Sequence, residues 1–312
     1  MSGVSAVASP RVLVIGKSGQ VAQALSRGAI RSVLTYRFAG RTDVDLADPF
    51  SLRSGIERTN PQLVINAAAY TAVDKAETES TEAYAVNADG PRELAMICAE
   101  RDIPLIHLST DYVFDGTKRA PYLPSDPTNP INVYGASKLA GEKAVRDLAP
   151  KHVILRLAWV YSETGRNFVN TMLRLAKAGS ELRVVDDQVG QPSYATDIAT
   201  AIDKIATRLM LSPHENPWGT YHLTNSGQTT WFGFAQEIFE AGSRFGQPRP
   251  LIAPIGTDSY PTPARRPMYS VLDTAGTSER FDIFMPDWRD ALGRCMAILG
   301  GPAFRFPRGA SS

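Results

Sequence analysis

Arg11-Val12-Leu13-Val14-Ile15-Gly16-Lys17-Ser18-Gly19-Gln20-Val21-Ala22 is the stretch on which the fold turns. Its first five residues are a short, apolar, β-branched run, the pattern of a strand buried on both faces of a parallel sheet. Gly16 and Gly19 follow, and Gln23-Ala24-Leu25-Ser26 continues at helical spacing. Strand, glycine turn and helix form the opening of a dinucleotide-binding unit. The glycines permit a tight turn and close backbone approach, and the helix N-terminus attracts a pyrophosphate. The third glycine of that fingerprint is Ala22 here, where the job is helix–strand packing and a methyl group is tolerated.

Outward from this opening, strands and helices alternate. Val33 to Ala39 reads as a second strand, and Pro49 to Thr59 as a helix with Asp48 as N-cap and Pro49 in its first position. Leu63 to Asn66 is a third strand, running into Ala67-Ala68-Ala69, whose small side chains let backbone approach a ligand. A helix over Pro91 to Arg101, a strand over Pro104 to Leu108, a helix over Tyr134 to Leu148 and a strand over Val153 to Val160 complete the series. The expected fold is α/β, a doubly wound parallel sheet of Rossmann type with ligands at its carboxyl edge. Residues 11–162 form the dinucleotide-binding domain in this reading. Residues 163–299, proline-rich and irregular, form a smaller C-terminal substrate-binding lobe, with helices over Asn167 to Lys177 and Asp197 to Met210 and a strand over Leu182 to Val185. Asp197 to Met210 and Tyr221-His222-Leu223 are candidates to rejoin the first sheet. Residues 1–10 and 300–312 read as flexible tails.

A chain of 312 residues with 43% hydrophobic and 21% charged content has enough apolar material for a sizeable core. A net charge of +1 argues against nucleic acid or a membrane surface as partner. No apolar run is long enough to span a bilayer and the first ten residues lack a basic leader, so the expected location is the cytoplasm. Cys98 and Cys295 read as buried packing residues, and His107, His152, His214 and His222 show no metal-ligand spacing, so no metal is expected.

The chemistry is written in two segments, Ser109-Thr110-Asp111-Tyr112-Val113-Phe114 and Tyr134-Gly135-Ala136-Ser137-Lys138. On a helix, Tyr134 and Lys138 project from one face, one turn apart. An ammonium there is expected to lower the phenol's pKa toward neutrality. Such a phenol can transfer a proton, and the Thr110 hydroxyl can hold a carbonyl oxygen. The set suits reversible carbonyl reduction with a hydride donor in the glycine-lined site. Gly40-Arg41, beyond the second strand, leans toward NADPH because an arginine there accommodates the 2′-phosphate, while Asp43 and Asp45 keep NADH open. Trp159 ends the fifth strand, where ligands gather. Arg265 and Arg266 are suited to phosphate oxygens.

These segments, with Asn66 to Glu77, Lys138 to Glu142, Trp159-Val160-Tyr161 and Tyr260-Pro261-Thr262-Pro263-Ala264-Arg265-Arg266-Pro267, resemble the extended short-chain dehydrogenases/reductases. More narrowly, they resemble the dTDP-4-dehydrorhamnose reductases, which make dTDP-L-rhamnose for cell-surface polysaccharides. The resemblance implies catalysis by Thr110, Tyr134 and Lys138. It implies a cofactor site of Gly16, Gly19, Gln20, Val21, Arg41, Asp45, Leu46, Ala67, Ala68, Ala69, Tyr70 and Asn87, together with Tyr134 and Lys138. It implies substrate contacts from Val73, Thr110, Asp111, Tyr112, Phe114, Tyr134, Trp159, Arg265 and Arg266. The expected partner is a nucleotide-sugar, the expected assembly a monomer or homodimer. Some members hold Mg²⁺ through interfacial glutamates, but Ala24 stands at one of those positions, so the metal is not carried over.

Two other readings stay open. A 4,6-dehydratase or epimerase of the same superfamily would share Asp111, although a dehydratase carries Glu where Tyr112 stands. A reductase-like regulatory partner of methionine adenosyltransferase would need no turnover, although both Tyr134 and Lys138 are in place.

Overall fold

A computed structural model describes residues 9–179, 181–212 and 215–300. The strand β1 (Arg11–Ile15) buries every residue but its first. It leads through the glycine turn into α1 (Gln20–Gly28). The second strand, β2 (Thr35–Ala39), starts two residues later than its β propensity suggests, because pairing begins where Thr35 N donates to Pro10 O at 2.9 Å. The helix α2 (Pro49–Thr59) has the expected bounds: Asp48 accepts from Phe50 N at 2.9 Å, and Asn60 closes the helix in the left-handed region at φ 42°. β3 (Leu63–Asn66) is buried throughout.

Between β3 and the next strand lie α3 (Val73–Ala76), α4 (Ser80–Tyr84) and α5 (Gly90–Glu100). A single π turn, Ala85–Asp89, joins the last two into one run. The helix thus starts well before Pro91. A proline inside a helix removes a donor and crowds the carbonyl four residues back, here Asn87, and the widened turn accommodates it. Then come β4 (Leu105–Thr110), α6 (Val133–Leu148) and β5 (His152–Leu157). α6 crosses the π turn closely enough that a Cβ at Gly141 would sit 2.1 Å from Asn87 O. The fifth strand was expected to run to Val160. It breaks at Trp159, whose φ of +44° leaves the extended region, and resumes as β6 (Val160–Tyr161).

The remainder is α7 (Phe168–Ala176), β7 (Leu182–Val185), β8 (Val189–Gly190), β9 (Ser193–Tyr194), α8 (Ala195–Leu211) and β10 (Gly219–His222). β11 (Thr229–Thr230), α9 (Trp231–Ser243), β12 (Ile252–Ile255), α10 (Ala275–Phe281) and α11 (Trp288–Gly300) follow. Gly300 closes α11 rather than opening a tail. The other residues read as tails lie outside the described residues, except Ser9 and Pro10.

Six strands form one sheet in the order β10-β5-β4-β3-β1-β2, and every pairing is parallel. β10 and α8 come from the second half of the chain, and α8 packs beside α1 on one face of the sheet. α2, α5 and α6 bury the other face through Leu52, Leu94, Ile97 and Val145. A separate core of Val169, Leu173, Phe234, Phe239, Trp288 and Leu292 holds α7, α9 and α11 together. The strand order reverses between β1 and β3, the switch point at which a crevice opens beyond the carboxyl ends of the strands.

Candidate active site

The crevice is built by two turns that touch. Gly16 sits at φ +111°, and a Cβ on it would come within 2.6 Å of Ala68 N and 2.7 Å of the Ala67 carbonyl carbon. Gly16 N and Lys17 N donate to Ala39 O at 3.0 and 3.2 Å, tying the glycine turn to the end of β2. Gly19 caps α1 with no side-chain bond, and the first turn carries no acid. The opening N–H groups of the helix are therefore left for an anion. Gly16, Lys17, Ser18, Gly19, Arg41, Asp45, Leu46 and Ala67 to Tyr70 line a cleft of about 430 Å³. The donor set and the room suit a dinucleotide. Arg41 points its guanidinium to Asp45 at 3.1 Å. Past it, Lys17, Arg27, Arg37 and Arg41 line an adjoining recess.

Thr110 ends β4, and Tyr134 and Lys138 project from α6, whose start is fixed by Asn132 accepting from Gly135 N at 2.7 Å. The Thr110 hydroxyl donates to Asp111 Oδ1 at 3.0 Å and accepts from Tyr112 N at 3.2 Å. Tyr112 and Tyr134 meet edge to face at 5.8 Å. Lys138 does not lower the phenol as expected. Burial pushes the Tyr134 pKa up to about 12, Asp111 adds to the rise, and hydrogen bonding with Thr110 opposes it. Lys138 Nζ instead donates to Leu108 O at 2.7 Å, and burial brings its own pKa down to about 8 against the pull of Glu142. Asp111 is buried with Oδ2 unpartnered among the described residues, and burial raises its pKa to about 6.

Beyond the end of β5, Trp159 stacks flat on Trp231 with ring centroids 3.4 Å apart. Trp231 and Arg266, with Phe168, Met172, Leu182 and Tyr260, line an apolar cavity of about 520 Å³. Arg266 forks onto Asp74 through two contacts of 2.8 Å. Arg265 exposes its side chain while its carbonyl accepts from Asn132 at 2.8 Å. Val73 is half-buried at the start of α3.

Four expected contacts are placed differently. Phe114 is fully buried, stacked on Tyr122 at 4.1 Å and covered by the Arg156 guanidinium, so it belongs to the core under the site. The Val21 side chain packs into the sheet core, leaving only its backbone to a cofactor. Gln20 turns away: its amide bonds Val160 O, the Ser162 hydroxyl and Asn167. Asn87 is buried in the π turn, accepting from Tyr70 N at 2.9 Å and donating to Tyr70 O and the Ser137 hydroxyl at 3.0 Å each. It braces the cofactor loop from behind. Trp231 was not singled out from the sequence; its Nε1 donates to Gln188 Oε1 at 3.2 Å. The Thr230-Trp231 start of a helix was the available signal.

Residues 10–300 match the family described as the RmlD substrate binding domain. A dTDP-4-dehydrorhamnose reductase of Sinorhizobium fredii is 45% identical over 289 residues, 93% of this chain and 97% of that protein. One of Burkholderia thailandensis is 43% identical, over 93% and 99% of the two chains. The crystal structure of the Bacillus anthracis dTDP-4-dehydrorhamnose reductase in complex with NADP superposes with a TM-score of 0.87 at 33% identity, over 93% of this chain and 100% of that one. Matched along nearly its whole described length, the chain belongs to the dTDP-4-dehydrorhamnose reductase family.

Proposed function

We propose that this protein reduces the C4 ketone of dTDP-4-dehydro-β-L-rhamnose to dTDP-β-L-rhamnose, the last step of dTDP-L-rhamnose synthesis, at the site of Thr110, Tyr134 and Lys138. One observation carries the assignment of roles. A phenol kept protonated by burial and hydrogen-bonded with the hydroxyl that ends β4 supports this reading, at the carboxyl edge of a sheet whose switch point opens a glycine-lined cleft. When bound in the glycine-lined cleft, a nicotinamide cofactor would supply the hydride for the reduction at C4. Tyr134, kept protonated by burial, gives its proton to the oxygen as the alkoxide forms. Thr110 donates to that oxygen and holds it in line with Tyr134. Lys138 stabilises the tyrosinate left behind and binds the cofactor ribose. The apolar cavity beside Trp231 receives the base, and Arg265 and Arg266 meet the diphosphate, so that remote binding positions the sugar.

NADPH is the preferred donor in this reading, supported by Arg41 at the cleft and by Lys17 and Arg37 in the adjoining recess. No metal takes part, since protein donors stabilise the oxyanion. The test is an assay of the purified protein on dTDP-4-dehydrorhamnose with each cofactor. Turnover with NADPH favoured is the expected result. Cofactor binding without turnover on any dTDP-keto sugar would overturn the reading.

A further inference from the structure

Behind Lys138 lies a buried histidine to which the reduction as described gives no role. His107, on β4, is fully buried, with Nδ1 3.1 Å from Asn66 Nδ2 and Nε2 3.5 Å from Lys138 Nζ. Asn66 stands opposite His107 in the β3–β4 register. Its Oδ1 accepts from Ala68 N at 3.2 Å, so the NH₂ end is the one turned to the ring. An amide NH₂ only donates, hence Nδ1 accepts and the neutral imidazole carries its proton on Nε2. That N–H points at Lys138, whose ammonium form also only donates. The ring cannot resolve the conflict by taking a charge, because burial first and Lys138 second hold its pKa well below the usual range.

The resting ammonium has one good acceptor, Leu108 O. Glu142, one turn along α6, is engaged by Arg156 at 2.9 and 2.8 Å. The other titratable groups around this spot are Tyr134 on α6, Asp111 beyond β4 and His152 at the start of β5.

We propose that His107 is a positioning residue for Lys138: by presenting an N–H instead of a lone pair, it denies the ammonium a second acceptor on β4 beside Leu108 O and leaves the remaining N–H bonds of Lys138 available to Tyr134 and the cofactor side of α6. The inference rests on the reading of Lys138 as a catalytic group. Asn66 completes the arrangement. One end of its amide fixes the imidazole tautomer, and the other holds Ala68 on the wall of the cofactor cleft.

The test is ¹⁵N NMR of the imidazole and lysine nitrogens in the cofactor-free protein, for wild type, Asn66→Asp and His107→Gln, alongside the pH profile of kcat. A carboxylate at position 66 accepts from Nδ1–H, so Asn66→Asp swaps the tautomer and turns a lone pair to the lysine. His107→Gln offers an amide oxygen without adding charge, which separates the lone pair from the field of a new carboxylate. The expected results are the Nε2–H tautomer in wild type and a Lys138 pKa raised by roughly one unit, a tenfold change in proton affinity, in both variants. The lysine limb of the kcat profile should move with it while KM for the sugar holds. A proton on Nδ1 in wild type, or a Lys138 pKa indifferent to His107→Gln, would overturn the inference. Should Asn66→Asp fail to fold, the wild-type tautomer and His107→Gln still decide. The NMR readings stand without turnover, so loss of the reductase assignment and loss of this inference remain distinguishable.

Discussion

In the proposed reaction, Tyr134 carries the heaviest chemical load of any single residue. Tyr134→Phe should keep the fold and bind cofactor as before, yet lose roughly 10²–10⁴-fold in kcat, the usual worth of a positioned general acid. Steady-state kinetics beside a cofactor titration check it, and near wild-type kcat would remove Tyr134 from the role. Asp111 makes a second, opposite kind of test. Its pKa rises from 3.8 to about 6 in the fold, so between those values the folded protein holds a proton that the unfolded chain has released. Its contribution to stability therefore falls as pH rises through that window and stays lower above it. Asp111→Asn should stabilise the protein near neutral pH by on the order of 1–3 kcal/mol and flatten that part of the pH dependence. Urea unfolding at about pH 4 and about pH 7 measures it, with the gain expected at the higher pH only. Thr110, Tyr134 and Lys138 could be singled out as candidates from the spacing of the pair on α6 and its order after the Ser109-Thr110 segment. What spacing could not carry is direction. Phe114 shares a segment with Thr110 but faces the core, and Lys138 shares a helix face with Tyr134 but reaches back to Leu108.

Among the elements, legibility followed the punctuation. Asp48-Pro49 announces α2 because cap and first residue are both diagnostic, and the helix has the expected bounds. The break at Trp159 carries no such mark. A tryptophan at positive φ is held there by packing against Trp231 and by its carbonyl accepting from Ser193 N at 3.1 Å, both contacts from distant sequence. The π turn was hidden for the same reason, since what stabilises it is Asn87 reaching Tyr70 and Ser137. The turn after β2 is the element that should discriminate cofactors. Arg41→Ala is expected to raise KM for NADPH several-fold more than for NADH, because only NADPH brings a 2′-phosphate to that corner. Equal changes in the two KM values would pass the role to Lys17 or Arg37.

Across the whole molecule, the two cores meet through polar seams that a composition reading does not reveal. Gln20 at the start of α1 bonds Ser162 and Asn167, and Arg27 pairs with Glu163 at 2.6 Å, so the first helix and the chain that follows β6 share one framework. Among the described residues, no group of three or more His, Cys, Asp or Glu side chains is placed to hold an ion. EDTA should leave turnover largely intact, and light scattering should give the same mass with and without Mg²⁺. Activity abolished by EDTA and restored by Mg²⁺, or a Mg²⁺-dependent mass, would refute this. No helix among the described residues is long and apolar enough to cross a bilayer.

The sheet's last strand has a bearing on how the protein is born. β10 ends at residue 222, about 65 residues after β5, the neighbour it covers. On a ribosome adding roughly 5–20 residues per second, that interval lasts about 3–13 s. Throughout it the nascent chain presents β5 as a bare edge and α1 without its α8 cover, the kind of exposed strand that invites pairing with another chain. The step that closes this window is emergence of α8 and β10. A slow stretch of translation between residues 157 and 222 would therefore lower the yield of folded enzyme without altering one atom of the finished site.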